Sequence, residues 1–543
     1  MAVQPRGGPR VWVNPASLGI IIAAYLLLVC GFTYWRVEYV PPVLPQSPPH
    51  LFSELRARQH VVQLASVIRD RQVSSPGLAL ATRYMRAELD KLQQLASSRT
   101  DLDVEVALET VSGAAAMSFT HINFTNAYRA LDNLVLAVTP RGREHVPALL
   151  VASHYDSAVC SQGAADDASQ VGVMLEVART LLSRPQPLEA PLVFLWTGGE
   201  EPISPAAHGW YASSRFAARL GAFVNLEAMG GGGLPIAFQH TGAWALAAWA
   251  RGVPLPRGSR VAQDIFDLQL LPADSDFRMF SARHYGRLPG VDVAFLLDSR
   301  AYHSYLDSEQ RIRPGVMQEM GEALLGGVGS LSVALAQRSR LNLSAEQQAV
   351  QAQERAVYWD ILGYAMVTYS EDLADRLHTV VAVLLLVNPL QALLQGQRRE
   401  AFRVVLGAAR TALSIVLAVV CPASLGALRV MLLGRPMVWF TNQWMGLTMF
   451  LPIALVGGLL PWLNIKERAV ASAPAGHGTF MAAQVLGAGV TSSLSCHAYP
   501  SSLYCCWAWC RWPWVARLSS CSSESSWSAW RSAASSMPPW QMW

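Results

Sequence analysis

Residues 148–169 read ALLVASHYDSAVCSQGAADDAS. The opening run, 148–152, is short and apolar, as suits a buried strand. His154, Asp156, Asp166 and Asp167 follow in quick succession. A histidine and carboxylates just past a buried strand are well placed to hold a metal ion, because ligands of α/β folds gather at the carboxyl ends of strands.

The arrangement recurs three times downstream. PLVFLW at 191–196 runs into Thr197-Gly-Gly-Glu200-Glu201, AFVNL at 222–226 runs into Glu227, and VDVAFLL at 291–297 stands shortly before Tyr302-His303. One such strand end would read as a solvated loop. Four in order, with two histidines among them, read as a metal site.

At these residues the sequence resembles the co-catalytic zinc exopeptidases of the aminopeptidase Y type, and within them the membrane-embedded endoplasmic-reticulum metallopeptidase branch. The matching motifs are HYD at 154–156, GAADDAS at 163–169, GGEE at 198–201, NLEAMG at 225–230, SDF at 275–277 and AYHSYLD at 301–307. The resemblance covers 52–335 well. It implies an α/β fold: a mixed, mainly parallel sheet flanked by helices, with transmembrane helices at the N- and C-terminal sides. It also implies two zinc ions. Asp166 would bridge them, His154 and Glu227 would complete one site, and Glu201 and His303 the other. Glu200 would be the general base and Tyr302 would stabilise the oxyanion. Asp156 would orient His154, since a carboxylate commonly fixes a metal-bound imidazole from behind. Asp276 matches an aspartate near the substrate pocket. Asp307 reads either as a partner of His303 or as a solvated loop carboxylate. Glu227 stands where soluble relatives have aspartate, and Gln170 stands where glycine is frequent, a change expected to alter packing and not ligation. His208 and His284 fall outside the ligand positions.

The ends of the chain bound its class. Of 543 residues only 15% are charged, and the mean hydropathy is positive, which points to membrane content. The net charge of +4 is spread out, and no basic stripe with interleaved aromatics suggests nucleic acid. Arg6 and Arg10 precede 16–35, about twenty residues, long enough to span ~30 Å of hydrocarbon. This reads as a signal anchor with 1–15 in the cytosol, because positive flanks stay cytosolic. Prolines between 41 and 49 form a stiff spacer. Residues 36–343 then make a lumenal zinc peptidase domain, 344–377 a linker, and 378–490 a multi-span region with candidate spans at 378–396, 411–433 and 438–463. Arg398, Arg399 and Arg403, and later Lys466 and Arg468, follow spans that should exit to the cytosol. The tail at 491–543 is crowded with Ser, Trp and Cys and has no periodicity. Only Cys160 lies in the catalytic unit, so no disulfide framework is expected within it. Asn123 and Asn342 head glycosylation sequons.

The expected partners are peptide or protein N-termini and a lipid bilayer, in the endoplasmic reticulum or alternatively a vacuolar membrane. The sequence leaves the oligomeric state open. Two other functions compete: a zinc-dependent glutaminyl cyclase on the same fold, and an inactive scaffold. The complete ligand set argues against the scaffold.

Overall fold

The computed structural model describes residues 48–434 apart from 120, 272 and 342, together with 443–463, 41–43 and parts of 20–35. Two compact units divide at Glu371. The first is built on seven strands, β1 (Leu102–Phe119), β2 (Ile122–Pro140), β3 (Ala148–His154), β4 (Leu192–Thr197), β5 (Leu220–Ala228), β6 (Ile236–Thr241) and β7 (Gly290–Phe295). They lie in the order β1-β2-β4-β3-β5-β7-β6. The central four, β4-β3-β5-β7, are parallel. β1, β2 and β6 join the edges antiparallel. The sheet is thus mixed, and its parallel part is the part that carries the motifs.

β3 and β4 are buried along their whole length, which explains why they read as continuous apolar runs and not as alternation. The two-residue period shows instead in what each side chain meets. Leu149, Val151, Phe194 and Trp196 belong to a core shared with helices Gln170–Ser183 and Val316–Ser339. Ala148, Leu150, Val193 and Leu195 belong to the core on the other face, with Trp210, Phe277 and Phe280. From β3 the chain steps to β4 on one side and to β5 on the other, so the carboxyl end of β3 faces a crevice where the topology switches.

Two segments differ from the sequence reading. The alternating and apolar runs 103–111 and 131–138 read as two short strands, but β1 and β2 extend far beyond them as one long hairpin whose outer half is largely exposed; its weak apolar contrast hides it in the sequence. Residues 344–377 are structured where a linker was expected. They form helix Ala345–Gln353 and a hairpin of β8 (Ala356–Asp360) and β9 (Met366–Ser370), with Ala356 and Tyr358 buried.

Among its described residues the second unit has three helices, Glu371–Leu394, Arg398–Leu433 and Gln443–Leu463. Within them Glu371–Gln391, Ala401–Leu433 and Trp444–Trp462 are long and apolar enough to cross a membrane. The latter two helices pack closely: the Trp462 indole N–H donates to Ser414 Oγ at 2.9 Å. The expected anchor at 16–35 lies largely outside the described residues. The region after 463, its tail included, lies wholly outside them, as does Asn342.

Candidate metal centre

Each central strand delivers its residue in a different way. β3 ends on His154 itself. β4 ends at Thr197, and the two glycines after it turn the chain so that Glu200 and Glu201 face the crevice. Gly198 is forced by close approach, since a Cβ there would stand 2.6 Å from both the Asp132 carbonyl oxygen and the Tyr155 hydroxyl. Glu227 is still within β5. Tyr302-His303 follows the short turn Ser299–Ala301 after β7. Asp166 sits in the turn Ala164–Ser169 ahead of helix Gln170–Ser183. Its φ of −107° and ψ of 94° are extended and not helical, which points its carboxylate out of the turn. The Asp166–Asp167 peptide is cis.

Asp166 is the centre of the constellation. Its Oδ1 lies 3.1 Å from His154 Nε2 and its Oδ2 lies 3.0 Å from His303 Nε2. Glu227 Oε2 is 3.7 Å from His154 Nε2, and Glu201 Oε2 is 3.1 Å from His303 Nε2. His154, Asp166 and Glu227 form one group able to hold a metal ion, and Asp166, Glu201 and His303 form another. Glu200 stands just outside the first, with Oε2 4.0 Å from His154 Nε2. The Tyr302 ring stacks on His303, centroids 3.8 Å apart. Asp167 turns away from the crevice, accepting a hydrogen bond from Ser153 Oγ at 2.7 Å.

A layer of fixed acceptors and donors lies behind these groups. Asp156 Oδ1 is 3.3 Å from His154 Nδ1, a contact of charges and not an aligned hydrogen bond. The same carboxylate accepts the backbone N–H groups of Glu200 at 3.0 Å and Glu201 at 3.2 Å. Asp307 accepts the backbone N–H groups of Ala165 at 2.8 Å and Asp166 at 3.1 Å, so it holds the Asp166 turn and not His303. Asp276 accepts from Thr197 Oγ1 at 2.6 Å, at the start of the Glu200–Glu201 turn. Gln170 Nε2 donates to the Glu227 carbonyl at 3.0 Å. Asn225 Nδ2 donates to Asp292 Oδ1 at 3.0 Å across the β5–β7 pair. Asp292 lies outside every motif; only the strand register places it beside Asn225. His208 is bonded to the Tyr128 hydroxyl at 2.7 Å and His284 lies 3.3 Å from Ser281 Oγ, both outside the centre.

The electrostatics follow from burial. Burial, with Asp166 and other carboxylates nearby, pushes Glu227 up to about 7 and raises Glu201. Glu200 is raised well above the carboxylate range by burial, against the pull of His154. Burial alone would lower His303, but its contacts with Asp166 and Glu201 outweigh this and bring it to about 10. Burial likewise opposes the charge on His154, and Asp156, Asp166 and Glu227 reverse the balance. Asp166, opposed by burial, is held below the usual range by the two histidines. Carboxylates crowded into a dry recess call for cations. Buried Glu201 Oε1 has no hydrogen-bond partner among the described residues. Imidazole nitrogen and carboxylate oxygen are the donors zinc prefers after thiolate.

Residues 133–328, which contain every ligand-type residue named above, match the model of peptidase family M28. The chain is 28% identical over 402 residues to endoplasmic reticulum metallopeptidase 1 of Mus musculus, covering 73% of this chain and 43% of that protein. It is 31% identical over 406 residues to a putative endoplasmic reticulum metallopeptidase 1 of Schizosaccharomyces pombe, covering 74% and 47%. The chain thus spans less than half the length of these curated relatives. A zinc aminopeptidase from Bacillus subtilis is similar at 15% identity over 51% of this chain and 94% of that one, with a TM-score of 0.37, too distant a likeness to carry an argument about activity. Over 133–328 the chain thus matches peptidase family M28, and it is similar in sequence to endoplasmic reticulum metallopeptidases.

Proposed function

We propose that residues 52–343 form a zinc aminopeptidase domain holding two ions, on the lumenal side of an endoplasmic reticulum membrane. The observation that carries this is the position of Asp166, with one oxygen toward His154 and the other toward His303. His154, Asp166 and Glu227 would hold one ion, and Asp166, Glu201 and His303 the other. The donor chemistry and the partnerless Glu201 Oε1 fit that assignment.

Zinc bound there would supply Lewis-acid activation of an attacking water and of the scissile carbonyl. Glu200 would take a proton from the attacking water and pass it to the leaving amine, the work of a positioned carboxylate. It lies outside both ligand groups yet 4.0 Å from His154, and its raised affinity for a proton suits the transfer. Tyr302, kept un-ionised by burial and the carboxylates around it, donates to the developing oxyanion. Asp156 holds the Glu200–Glu201 turn by its backbone, so that base and ligand keep their separate places.

The preference for an amino terminus rests on charge. Among the described residues, the ion pairs of Asp156, Asp166, Glu200, Glu201 and Glu227 are all with histidines. Two bound zinc ions would offset four of these five negative charges, and the one remaining favours a substrate ammonium over a terminal carboxylate, since complementary potential selects the partner. The three apolar helices support membrane attachment. The test is metal analysis of the full chain purified in detergent, with cleavage assays on peptides bearing free or acetylated N-termini. Two zinc ions per chain and cleavage of the free amine alone are expected. One zinc with cyclisation of N-terminal glutamine would point to the cyclase. Neither zinc nor any reaction would leave the scaffold.

A further inference from the structure

The segment between His154 and Asp166 is held by a residue outside every motif. Arg71 is fully buried, with no solvent exposure. Its guanidinium forks across four backbone carbonyls. Nε donates to Tyr155 O at 2.8 Å, Nη1 to Leu64 O at 3.0 Å and Gln162 O at 2.8 Å, and Nη2 to Gly163 O at 2.8 Å. Its backbone N–H donates to Ser157 Oγ and its carbonyl accepts the Ser157 N–H, each at 3.2 Å. Three of the four side-chain acceptors therefore lie in 155–163. That loop begins one residue after His154 and ends three before Asp166. Gly163 closes it with φ +58°, and a Cβ there would come within 2.7 Å of Arg71 Nη2.

The charge of Arg71 is as informative as its fork. A buried cation is costly unless it is paired, and each of the four guanidinium hydrogen bonds goes to an uncharged carbonyl. The carboxylates acting on it, Asp156, Asp307, Asp166 and Glu201, act through space. Burial lowers its affinity for a proton to about 10, and those carboxylates work against the loss. The cation stays charged at neutral pH. Its fork is committed to backbone carbonyls, and its charge acts on the carboxylates through space.

We propose that Arg71 is a positioning residue for the metal centre. It clamps loop 155–163 so that His154 and Asp166 converge on a common ion, and its charge offsets repulsion among the carboxylates gathered there. The proposal rests on the two-zinc reading above for its consequence, and on the fork alone for its cause. The metal chemistry needs both parts. Asp166 must present one oxygen to each histidine, which requires the two ends of the loop to be held within a few tenths of an ångström.

The test compares Arg71→Lys, Arg71→Met and Gly163→Ala in the full chain, purified in detergent. Zinc affinity is read by chelator competition, activity as kcat and KM, and loop order by amide hydrogen exchange of the metal-free protein. Arg71→Met should weaken zinc by about 10–100-fold, the usual effect of removing support behind metal ligands. It should lower kcat with KM changed less than about twofold. Arg71→Lys keeps the charge but not the planar fork, and should fall between wild type and Arg71→Met in zinc affinity. In all three variants exchange should speed up in 155–163 and stay unchanged in β5 and β7. Where Arg71→Met does not fold, Arg71→Lys carries the test with the smaller defect; Gly163→Ala would also meet the Asp166 carbonyl oxygen and Ser157 Cβ at 2.6 Å, so it reports on the loop and not on Arg71 alone. Wild-type zinc affinity and wild-type exchange in a folded Arg71→Lys or Gly163→Ala would overturn the proposal. A wild-type chain that binds no zinc would overturn the two-zinc reading instead. The exchange of 155–163 would then still decide whether Arg71 clamps the loop.

Discussion

Asp156 Oδ1 accepts the backbone N–H of Glu200 at 3.0 Å. The residue proposed to move protons is thus placed by its main chain, from the motif that also carries His154. Asp156 Oδ2 accepts the next N–H, that of Glu201. An asparagine has one acceptor oxygen and cannot serve both. Asp156→Asn should therefore misplace base and ligand together. We expect zinc affinity to fall by about 10–100-fold and kcat to fall even at saturating zinc. A variant whose whole deficit is recovered by added zinc would show that Asp156 matters to metal retention alone.

Glu200 and Glu201 are adjacent in sequence and differ in what they face. Glu201 Oε2 is 3.1 Å from His303, whereas Glu200 lies 4.0 Å from His154 and within reach of Ser204 Oγ at 3.4 Å. Glu201→Gln should lower zinc occupancy. Glu200→Gln should keep zinc and lower kcat by about 10²–10⁴-fold, the range of general acid–base catalysis, with KM little changed. Zinc loss in Glu200→Gln with activity retained would exchange the two roles.

Topology can be read from modification. Asn123 is exposed on the outer half of the β1–β2 hairpin. If the domain is lumenal, Asn123 should carry a glycan removable by an endoglycosidase, and Asn123→Gln should abolish that shift. A tag inserted near Gln395, between the first two apolar helices, should be reached only from the cytosolic side. Access from the lumen would reverse the orientation.

What the sequence disclosed, and what it did not, divides along one physical line. His154, Glu200, Glu201, Glu227 and His303 were legible because ligand-type residues stand directly after apolar runs, and the runs are buried strands. Asp166 needed only the resemblance to be singled out. Asp307 has two readings in sequence, because its partners are the backbone N–H groups of Ala165 and Asp166, and backbone donors leave no trace there. Arg71 sits among ordinary polar residues, and its carbonyl acceptors are equally invisible. The β8–β9 hairpin reads as a linker because its charged neighbours look solvated. In the fold those charges are paired: Arg260 with Glu371 at 2.8 Å, and Arg355 with Asp267 at 2.7 Å.

That hairpin also supplies a pH test remote from the metal centre. His240 is fully buried in β6, and its Nε2 accepts the backbone N–H of Ala356 from β8 at 3.0 Å. An accepting Nε2 carries no proton, so the folded ring is neutral. The Tyr358 ring meets it edge-on, with centroids 5.0 Å apart. Burial, with Arg260, Arg283 and Arg355 nearby, lowers His240 to about 3 from an ordinary 6.5. The folded state therefore binds fewer protons than the unfolded state between those values. By linkage, stability must rise with pH there and fall as pH drops from about 6.5 toward 3. Well below 6.5 one such site contributes a slope of about 1.4 kcal/mol per pH unit. His284, lowered to about 4 by burial and by Arg278 and Arg283, adds to the same trend, so the wild-type slope alone does not isolate His240. His240→Gln does, because a glutamine oxygen can accept the Ala356 N–H and does not titrate. Denaturation of the detergent-purified chain at pH 7.5, 6.5, 5.5 and 5.0 should show the variant less stable than wild type at pH 7.5. The gap should narrow as the pH falls. Parallel curves for the two proteins across this range would mean that His240 is not held neutral in the fold.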